Sequence, residues 1–399
     1  MGTIPSVQSA LCPVCGSPET TDCIRISAVP IYCNVLHESR DAALSVPTGD
    51  MDLRFCGGCG HLFNAAFNPG QVDYNGEYEN SLHYSDRFQE YANSLAQHLV
   101  ALHELHDKTV IEIACGQGDF LQLLCALGGN KGIGFDPGHA PGRSQAVTGV
   151  DLTFIQDYFS DAYADFAADL ICCRHALEHM HHPGDFLSML RGVVGERATP
   201  LFFEVPNALF TLKSLGIWDL IYEHCGYFSE SSLRAVFVRN GFRVKRVQTA
   251  FGGQFLSIHC LPAEGVEKTA QIGASGGDLA PLVEQFAHQY NDKVARWRMR
   301  LRDLRANGRR IVLWGAGSKG VNFMNVLKIS DEVECLIDLN PHKHGRYIPG
   351  TGHEIRSPQA LTEHQPDAVI VMNPLYREEI GRDLLAMGIE AEILVDEIK

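Results

Sequence analysis

Four groupings in this chain bring together side chains that could do chemistry. Residues 174–186 read RHALEHMHHPGDF and residues 221–229 read IYEHCGYFS. They set His175, Glu178 and His179 in one segment and Glu223 beside His224 in the other. Histidine titrates close to neutral pH, and a neighbouring carboxylate can orient its ring. Such pairs suit the removal of a proton from carbon next to a ketone. HALEH is also an inverted zinc motif, a reading that needs a long helix and a third ligand. The chain has 18 histidines, so most are expected at the surface or in satisfied core positions, and His181 and His182 read as loop residues before Pro183.

The second and third groupings are Gly-rich turns. IEIACGQG (111–118) puts Glu112 inside a strand and Gly116 and Gly118 at its carboxyl end. Glycines there let a ligand approach the backbone and leave the next helix N-terminus open. A third glycine is missing, since Phe120 and Leu121 stand in that region. GIGFD ends in Asp136, about 20 residues on, where an acid can accept from both ribose hydroxyls. IQDYF then supplies Asp157, suited to an adenine amino group. The other turn, IVLWGAGSKG (311–320), is followed by a strand ending in Asp338 and by itself reads as an NAD site. Its third glycine falls at Gly320, with Lys319 where a phosphate-facing backbone usually runs free.

The fourth grouping is CPVCG (12–16) and CGGCG (56–60). Each Cys-x-x-Cys knuckle puts two thiolates on one tight turn, and two knuckles complete a tetrahedral four-sulfur site for structural zinc. Cys12, Cys15, Cys56 and Cys59 are the expected ligands, with Cys23 and Cys33 as substitutes and a small strand pair inside the long intervening loop. Neither knuckle opens a βαβ unit, which weighs against thioredoxin-like redox chemistry.

The elements that must position these groups follow from periodicity. Phe88, Tyr91, Leu95, Leu99 and Leu102 recur at helical spacing. VIEIAC, GIGFD, LTFIQ, ADLICC and LFFEVP read as strands alternating with helices such as DFLQLLCAL, the pattern of a parallel, doubly wound sheet. This puts His175, Glu178 and His179 at the carboxyl edge beside a nucleotide-type ligand. Residues 262–280 are small and polar, a linker, and 281–307 form a helix. A second alternating unit runs from 311 through VECLID and DAVIVMN to EILVDEI.

Composition removes other classes. The chain has 399 residues, 45% of them apolar, and a formal net charge of -15. That length implies two or three domains. The acidic balance argues against nucleic acid as a partner, and no apolar run approaches the roughly 20 residues that span a membrane. MGTIPS fits the loose myristoylation pattern, but no basic cluster follows to make a second membrane signal. MGTIPSVQ lacks the charged and apolar regions of a signal peptide, and 13 cysteines then point to a reducing, cytoplasmic setting.

The series of acid, glycines, acid and acid resembles class I S-adenosylmethionine methyltransferases over residues 105–210. In a wider frame, the order of two Cys-x-x-Cys knuckles, EIxCGxG, EHxxYFS, GAGSKG and IDLNPHKHGRYIPGT resembles the sugar C-methyltransferases of deoxysugar and antibiotic biosynthesis, over nearly the whole chain. EHxxYFS and NPxKxGRYxPGT are its most specific parts. The resemblance implies S-adenosylmethionine as donor, a structural zinc and a nucleotide-linked ketosugar as acceptor. It implies that His224 with Glu223 forms an enolate, with His179 and Tyr78 assisting. It implies that Ser318, Lys319, Lys343, Arg346 and Tyr347 help hold the nucleotide-sugar. Two departures fall in the acceptor region: Tyr222 stands where the family has His, and MNPLY (372–376) replaces an aromatic-Asn pair. They leave open which acceptor is used, and whether carbon, oxygen or nitrogen receives the methyl group.

The expectation is an α/β protein of three domains: a zinc-binding domain (1–68), a class I methyltransferase domain (69–262) and a second Rossmann-like domain (281–399). The donor is expected on Glu112, Gly116, Gly118, Asp136, Asp157 and His175, with Tyr222 in the acceptor site. No nucleic acid, membrane or obligate protein partner is expected. Three rivals remain at this stage: O- or N-methylation of another small metabolite, an NAD-dependent oxidoreductase using the second Gly-rich turn, and a non-catalytic binding module built on a zinc knuckle, against which the paired histidines argue.

Overall fold

Short β-branched runs that end in glycine turns become the buried middle of parallel sheets, because such strands are covered on both faces. The computed structural model describes residues 10–73, 78–142, 149–264 and 276–396. MGTIPS and most of the linker fall outside these residues. Among the described residues the strands form three sheets.

The first sheet holds β1 (Thr20–Pro30), β2 (Thr48–Cys56) and β3 (Leu62–Asn64), with helix α1 (Arg40–Leu44) between the first two. β1 and β2 are the strand pair expected inside the loop between the knuckles, and they pair antiparallel. This unit has no core of its own. Ile31, Met51 and Leu53 pack into one cluster with Trp218, Phe286, Phe323 and Ile311, whereas Cys12, Cys56 and Phe63 pack with Phe228 and Leu233. Roughly 60 residues bury too little apolar surface to stand alone, so sharing is the physical solution.

The central region begins with α2 (Asp86–Leu102), capped by the Ser85 side chain. Phe88, Leu95 and Leu99 face inward as the spacing predicts, but Leu102 is exposed at the helix end. β4 (Thr109–Ile113), α3 (Asp119–Gly128), β5 (Lys131–Phe135), β6 (Asp151–Ile155), β7 (Leu170–Arg174), α4 (Pro183–Val194) and β8 (Leu201–Pro206) alternate as expected. Then come α5 (Ala208–Lys213), β9 (Gly226–Tyr227), α6 (Glu230–Arg239), β10 (Phe242–Ala250) and β11 (Phe255–Pro262). The large sheet runs β10-β11-β8-β7-β4-β5-β6, parallel from β8 to β6. The chain leaves β4 toward β5 and returns to β7 on its other side. The crevice outside the carboxyl ends of β4 and β7 is therefore a topological switch point, the usual ligand position in such sheets. β9 leaves this sheet and pairs with β3 of the first one.

α7 (Ala280–Ala306) buries Val283, Phe286, Tyr290, Lys293, Val294, Trp297 and Leu301 on one face. It leads into β12 (Ile311–Trp314), α8 (Ser318–Leu327), β13 (Leu336–Ile337), β14 (Ile355–Arg356), α9 (Leu361–His364), β15 (Ala368–Val371), α10 (Arg377–Ala386) and β16 (Glu392–Val395). The order β14-β13-β12-β15-β16 is wholly parallel, with its own switch point at the GAGSKG turn. Among the described residues no helix is long and apolar enough to cross a membrane.

Candidate active site

The four knuckle cysteines converge. Cys12 and Cys59 sulfurs lie 3.6 Å apart, Cys15 and Cys56 sulfurs 3.5 Å, and all four within 4.8 Å of one another. Zinc–sulfur bonds of about 2.3 Å in a tetrahedron set sulfurs roughly 3.8 Å apart, so the cluster fits a zinc ion. Backbone N–H groups of Val14 and Cys15 face the Cys12 sulfur, and that of Cys59 faces Cys56, donors of the kind a metal-bound thiolate accepts from. Cys23 and Cys33 stand elsewhere. Cys33 lies against Glu223.

A cavity of about 460 Å³ opens at the switch point, lined by Glu112, Gly116, Asp136, Asp157 and His175. The backbone is left-handed at Ala114 (φ 54°) and at His175 (φ 51°), one residue beyond the ends of β4 and β7. Non-glycine residues in that region concentrate at ligand sites. Asp136 accepts from Gly116 N–H and Gly138 N–H, both at 2.8 Å, and so shapes the glycine turn. A Cβ at Gly116 would meet nothing within 4 Å, leaving open space over the cavity. Gly118 differs from the expectation. It does not line the cavity; it is the left-handed N-cap of α3, and a Cβ there would sit 2.4 Å from the Phe154 ring. Glu112 is buried with Oε2 unpartnered among the described residues, and burial pushes it up to about 8. Acids, open glycine backbone and an apolar wall suit a nucleoside carrying ribose hydroxyls and an amino group.

The floor is a buried network that sequence reasoning missed. Arg174 donates to Glu204 Oε1 through Nε (3.1 Å) and Nη2 (2.8 Å), and covers the Phe120 ring at 4.1 Å. The Tyr91 hydroxyl donates to Glu204 Oε2, and His175 Nε2 lies 3.1 Å from Oε1. Burial pushes the Glu204 carboxyl up, but Arg174, His175 and Tyr91 outweigh it and leave it at about 2.

A second cleft, of about 350 Å³, lies between the central and C-terminal sheets. It shares Tyr78, His175 and His179 with the first cavity. His179, Glu178 and His224 line it, with Asn34, Asp219, Ser318, Lys319, Lys343, Gln254 and Asn373. The His179 and His224 rings stand nearly perpendicular, 4.8 Å apart. Burial holds His179 down at about 4, with His175 adding to it and a hydrogen bond to the Glu223 carbonyl opposing it. Burial, then His179, His175 and Lys319, hold His224 well below its ordinary value. Both imidazoles are therefore neutral at pH 7. The 177–179 turn is a single 3-10 turn, so HALEH lacks the long helix of the inverted zinc motif.

Glu223 does not face His224. Its Oε2 accepts from Cys33 N–H at 2.8 Å, and the Tyr78 hydroxyl also reaches the carboxyl, which burial pushes up to about 7. Asn34 Nδ2 bridges the Tyr78 hydroxyl (3.1 Å) and Ser318 Oγ (2.9 Å). Three further residues expected at the acceptor lie outside the cleft. Tyr222 is buried, with its hydroxyl on Asn68 N–H (2.9 Å) and Gln71 (3.1 Å). Arg346 pairs with Glu38 at 2.5 Å, and Tyr347 exchanges backbone hydrogen bonds with His37. The GRYIPGT stretch thus clasps the N-terminal unit at His37 and Ala43. Lys343 lines the cleft but is tied to Asp338 (3.3 Å) and the Ala316 carbonyl (3.1 Å), and Lys319 pairs with Asp219 at 2.6 Å. Asp338 also accepts from Ala316 N–H and Asn340 N–H, so the acid an NAD site would need already holds its own turn and a lysine.

Among the residues not foreseen, Gln254 and Asn373 exchange side-chain hydrogen bonds of 2.8 and 3.0 Å across the cleft. Glu379 of α10 accepts from Ser85 Oγ (2.8 Å), Asp86 N–H (3.1 Å) and Arg87 N–H (3.3 Å), capping α2 from the other domain.

Residues 85–247 match the family model described as a methyltransferase domain, and residues 269–391 match the C-methyltransferase C-terminal domain. C-methyltransferase NovU of Streptomyces niveus is 25% identical over 402 residues, which span 92% of this chain and 90% of that protein. Among solved structures, magnesium protoporphyrin IX methyltransferase (ChlM) from Synechocystis PCC 6803 with bound SAH is 22% identical, covers 44% of this chain and 84% of its own, and has a TM-score of 0.35. The Burkholderia thailandensis 1,6-didemethyltoxoflavin-N1-methyltransferase is 14% identical, covers 45% of this chain and 82% of its own, and also has a TM-score of 0.35.

Proposed function

Starting from a class I S-adenosylmethionine-dependent methyltransferase with a C-methyltransferase C-terminal domain, we propose that it methylates a carbon of a nucleotide-linked ketosugar. The observation that carries this reading is the junction. The donor cavity and the acceptor cleft share Tyr78, His175 and His179, with His224 just beyond. A methyl group presented from one side meets an acceptor presented from the other.

The bound donor supplies an electrophilic sulfonium methyl group. The chain's residues make the nucleophile. His224 accepts the proton of the carbon beside the ketone, and the C–H electron pair stays on the acceptor as an enolate. Neutral imidazole is the form that can do this. Because one nitrogen of His179 is engaged by the Glu223 carbonyl, its other nitrogen presents a lone pair. The enolate oxygen therefore falls to Tyr78, whose hydroxyl accepts from Asn34 and turns its one proton from Glu223 to the enolate when the acceptor is bound. The nucleotide end is read onto the N-terminus of α8, where Gly315, Gly317, Ser318 and Lys319 line the cleft and backbone N–H groups favour a diphosphate. A diphosphate there competes with Asp219 for Lys319, and its charge raises the histidine pKa values. We assign a structural zinc to four of the 13 cysteines and place the enzyme in the cytoplasm, in keeping with cysteines that form no disulfide.

The test is product NMR from donor and a nucleotide-linked 4-ketosugar, run beside solvent deuterium exchange at the adjacent carbon. A new C–CH3 signal with donor-independent exchange is expected. An O–CH3 or N–CH3 product would sink the carbon reading and leave the methyltransferase intact.

A further inference from the structure

The sequence pairs His224 with its neighbour Glu223, yet the fold turns that carboxyl away toward Cys33 and Tyr78. Another acid takes the vacated place. Glu178 is only 1% exposed, and among the described residues neither of its oxygens has a hydrogen-bond partner on another residue. Its carboxyl, an imidazole nitrogen of His179 and one of His224 lie within 4.8 Å of one another, and His175 Nδ1 is 3.9 Å from Oε1. The Cys225 thiol donates to the Glu178 carbonyl at 3.4 Å, which ties the 177–179 turn to the segment that carries His224. Burying an unpartnered carboxyl is costly, so its position beside two imidazoles in a substrate cleft needs a functional account.

We propose that Glu178 is the positioning residue of the His179–His224 pair, orienting His224 and balancing the imidazolium that forms when His224 takes the acceptor's proton. This rests on the enolate reading above. In the step, the acceptor C–H bond breaks, its electrons remain on the acceptor, the proton joins His224, and Glu178 meets that charge as carboxylate. Burial pushes Glu178 up to about 8, so near neutral pH one proton is shared by the cluster, and the active form is the one that has lost it. The groups facing the cluster are His175, Cys173 and Glu204 from the central sheet, Cys225 and Tyr227 from the following segment, and Lys319 from the C-terminal domain.

The experiment uses the full-length zinc-loaded protein with E178Q, E223Q, H224N and the double variant E178Q/H224N. Methyl transfer and deuterium exchange are followed from pH 5 to 9, and calorimetry with S-adenosylhomocysteine checks that each variant keeps its donor site. E178Q is expected to lower kcat about 100-fold, in the range typical of groups that act through a base. It also moves the acidic limb of the pH–rate profile to lower pH, because no carboxylate then holds the shared proton. In the H224N background it has little further effect. A loss without movement of the limb would mean a merely structural carboxyl and would overturn the proposal. So would a second equivalent of bound metal that disappears in H224N, since the three side chains would then be ligands. If H224N keeps wild-type exchange and turnover, the enolate reading itself fails and this inference with it. Silent E178Q beside a dead H224N removes only the inference.

Discussion

Asp396 directly follows β16 and sits in a buried knot. Its Oδ2 accepts from Trp218 Nε1 at 2.9 Å and from Lys293 Nζ at 2.7 Å, while Oδ1 accepts from Trp297 Nε1 at 2.9 Å. Lys293 and Asp396 side chains are only 4% and 6% exposed, and Lys293 keeps one other partner, the Leu215 carbonyl at 2.8 Å. Asp396→Asn strands a buried ammonium, a change that costs about 3–5 kcal/mol. Adding Lys293→Met removes the stranded charge, and about half of the loss or more returns. The pH dependence has a definite sign. Burial holds Lys293 below its ordinary value, opposed by Asp396. Unfolded chains therefore bind more protons on the alkaline side, and this contribution to stability rises with pH there. Without Asp396 the lysine falls further and deprotonates earlier, so the deficit of Asp396→Asn narrows from pH 7 toward about pH 9–10. Denaturant unfolding followed by tryptophan fluorescence reads this region directly: the chain has 3 tryptophans, Trp218, Trp297 and Trp314, and Trp314 ends β12 in the same sheet. Trp218 adjoins Asp219, the partner of Lys319 in the proposed acceptor cleft. The single variant should raise the acceptor KM several-fold while S-adenosylhomocysteine binds as before. A midpoint shift worth less than about 1 kcal/mol, or a double variant less stable than the single one, refutes the reasoning.

Two further outcomes are expected. Cys59→Ser removes one of four sulfurs, so metal content by plasma mass spectrometry falls from one zinc per chain toward zero. Because Cys56 and Cys59 pack in the same core as Phe228 and Leu233, thermal stability falls with it. Glu112, pushed up to about 8 by burial, is protonated in the fold and ionised in the unfolded chain between about pH 4.5 and pH 8. Its contribution therefore declines as pH rises through that window, and Glu112→Gln should flatten the slope of the urea midpoint between pH 5 and 8; an unchanged slope counts against the assignment.

Strands and glycine turns were legible because their signals are local. Ile111 to Gly118 carries both the buried run and the turn that ends it, and Asp136 lies one βαβ unit away. The cysteine knuckles were legible for the same reason. What sequence order misled was direction. Glu223, His224 and Tyr222 are consecutive, yet their side chains reach Cys33, the cleft between the central and C-terminal sheets and Asn68 respectively. Glu178, whose carboxyl comes within 4.8 Å of an imidazole nitrogen of His224, lies 46 positions earlier (224 − 178) and comes near only through the β7 turn. Arg346 and Tyr347 belong to a distinctive motif, but its backbone serves to clasp residues 37–43. Glu379 capping α2 had no local signal at all, since donor and acceptor are 292 to 294 residues apart.

β9 gives the sheet of β1, β2 and β3 its fourth strand from Gly226 and Tyr227, the first of them two residues beyond His224. The cysteine-bearing unit is thus stitched to the loop that carries His224, the proposed base. A swap of N-terminal domains between relatives that cuts near residue 68 would separate β3 from the strand it was selected to pair with, and the acceptor side would feel it before the donor side did. Grafts meant to change the acceptor should carry 221–229 along with the knuckles, as one unit of inheritance written in two places on the chain.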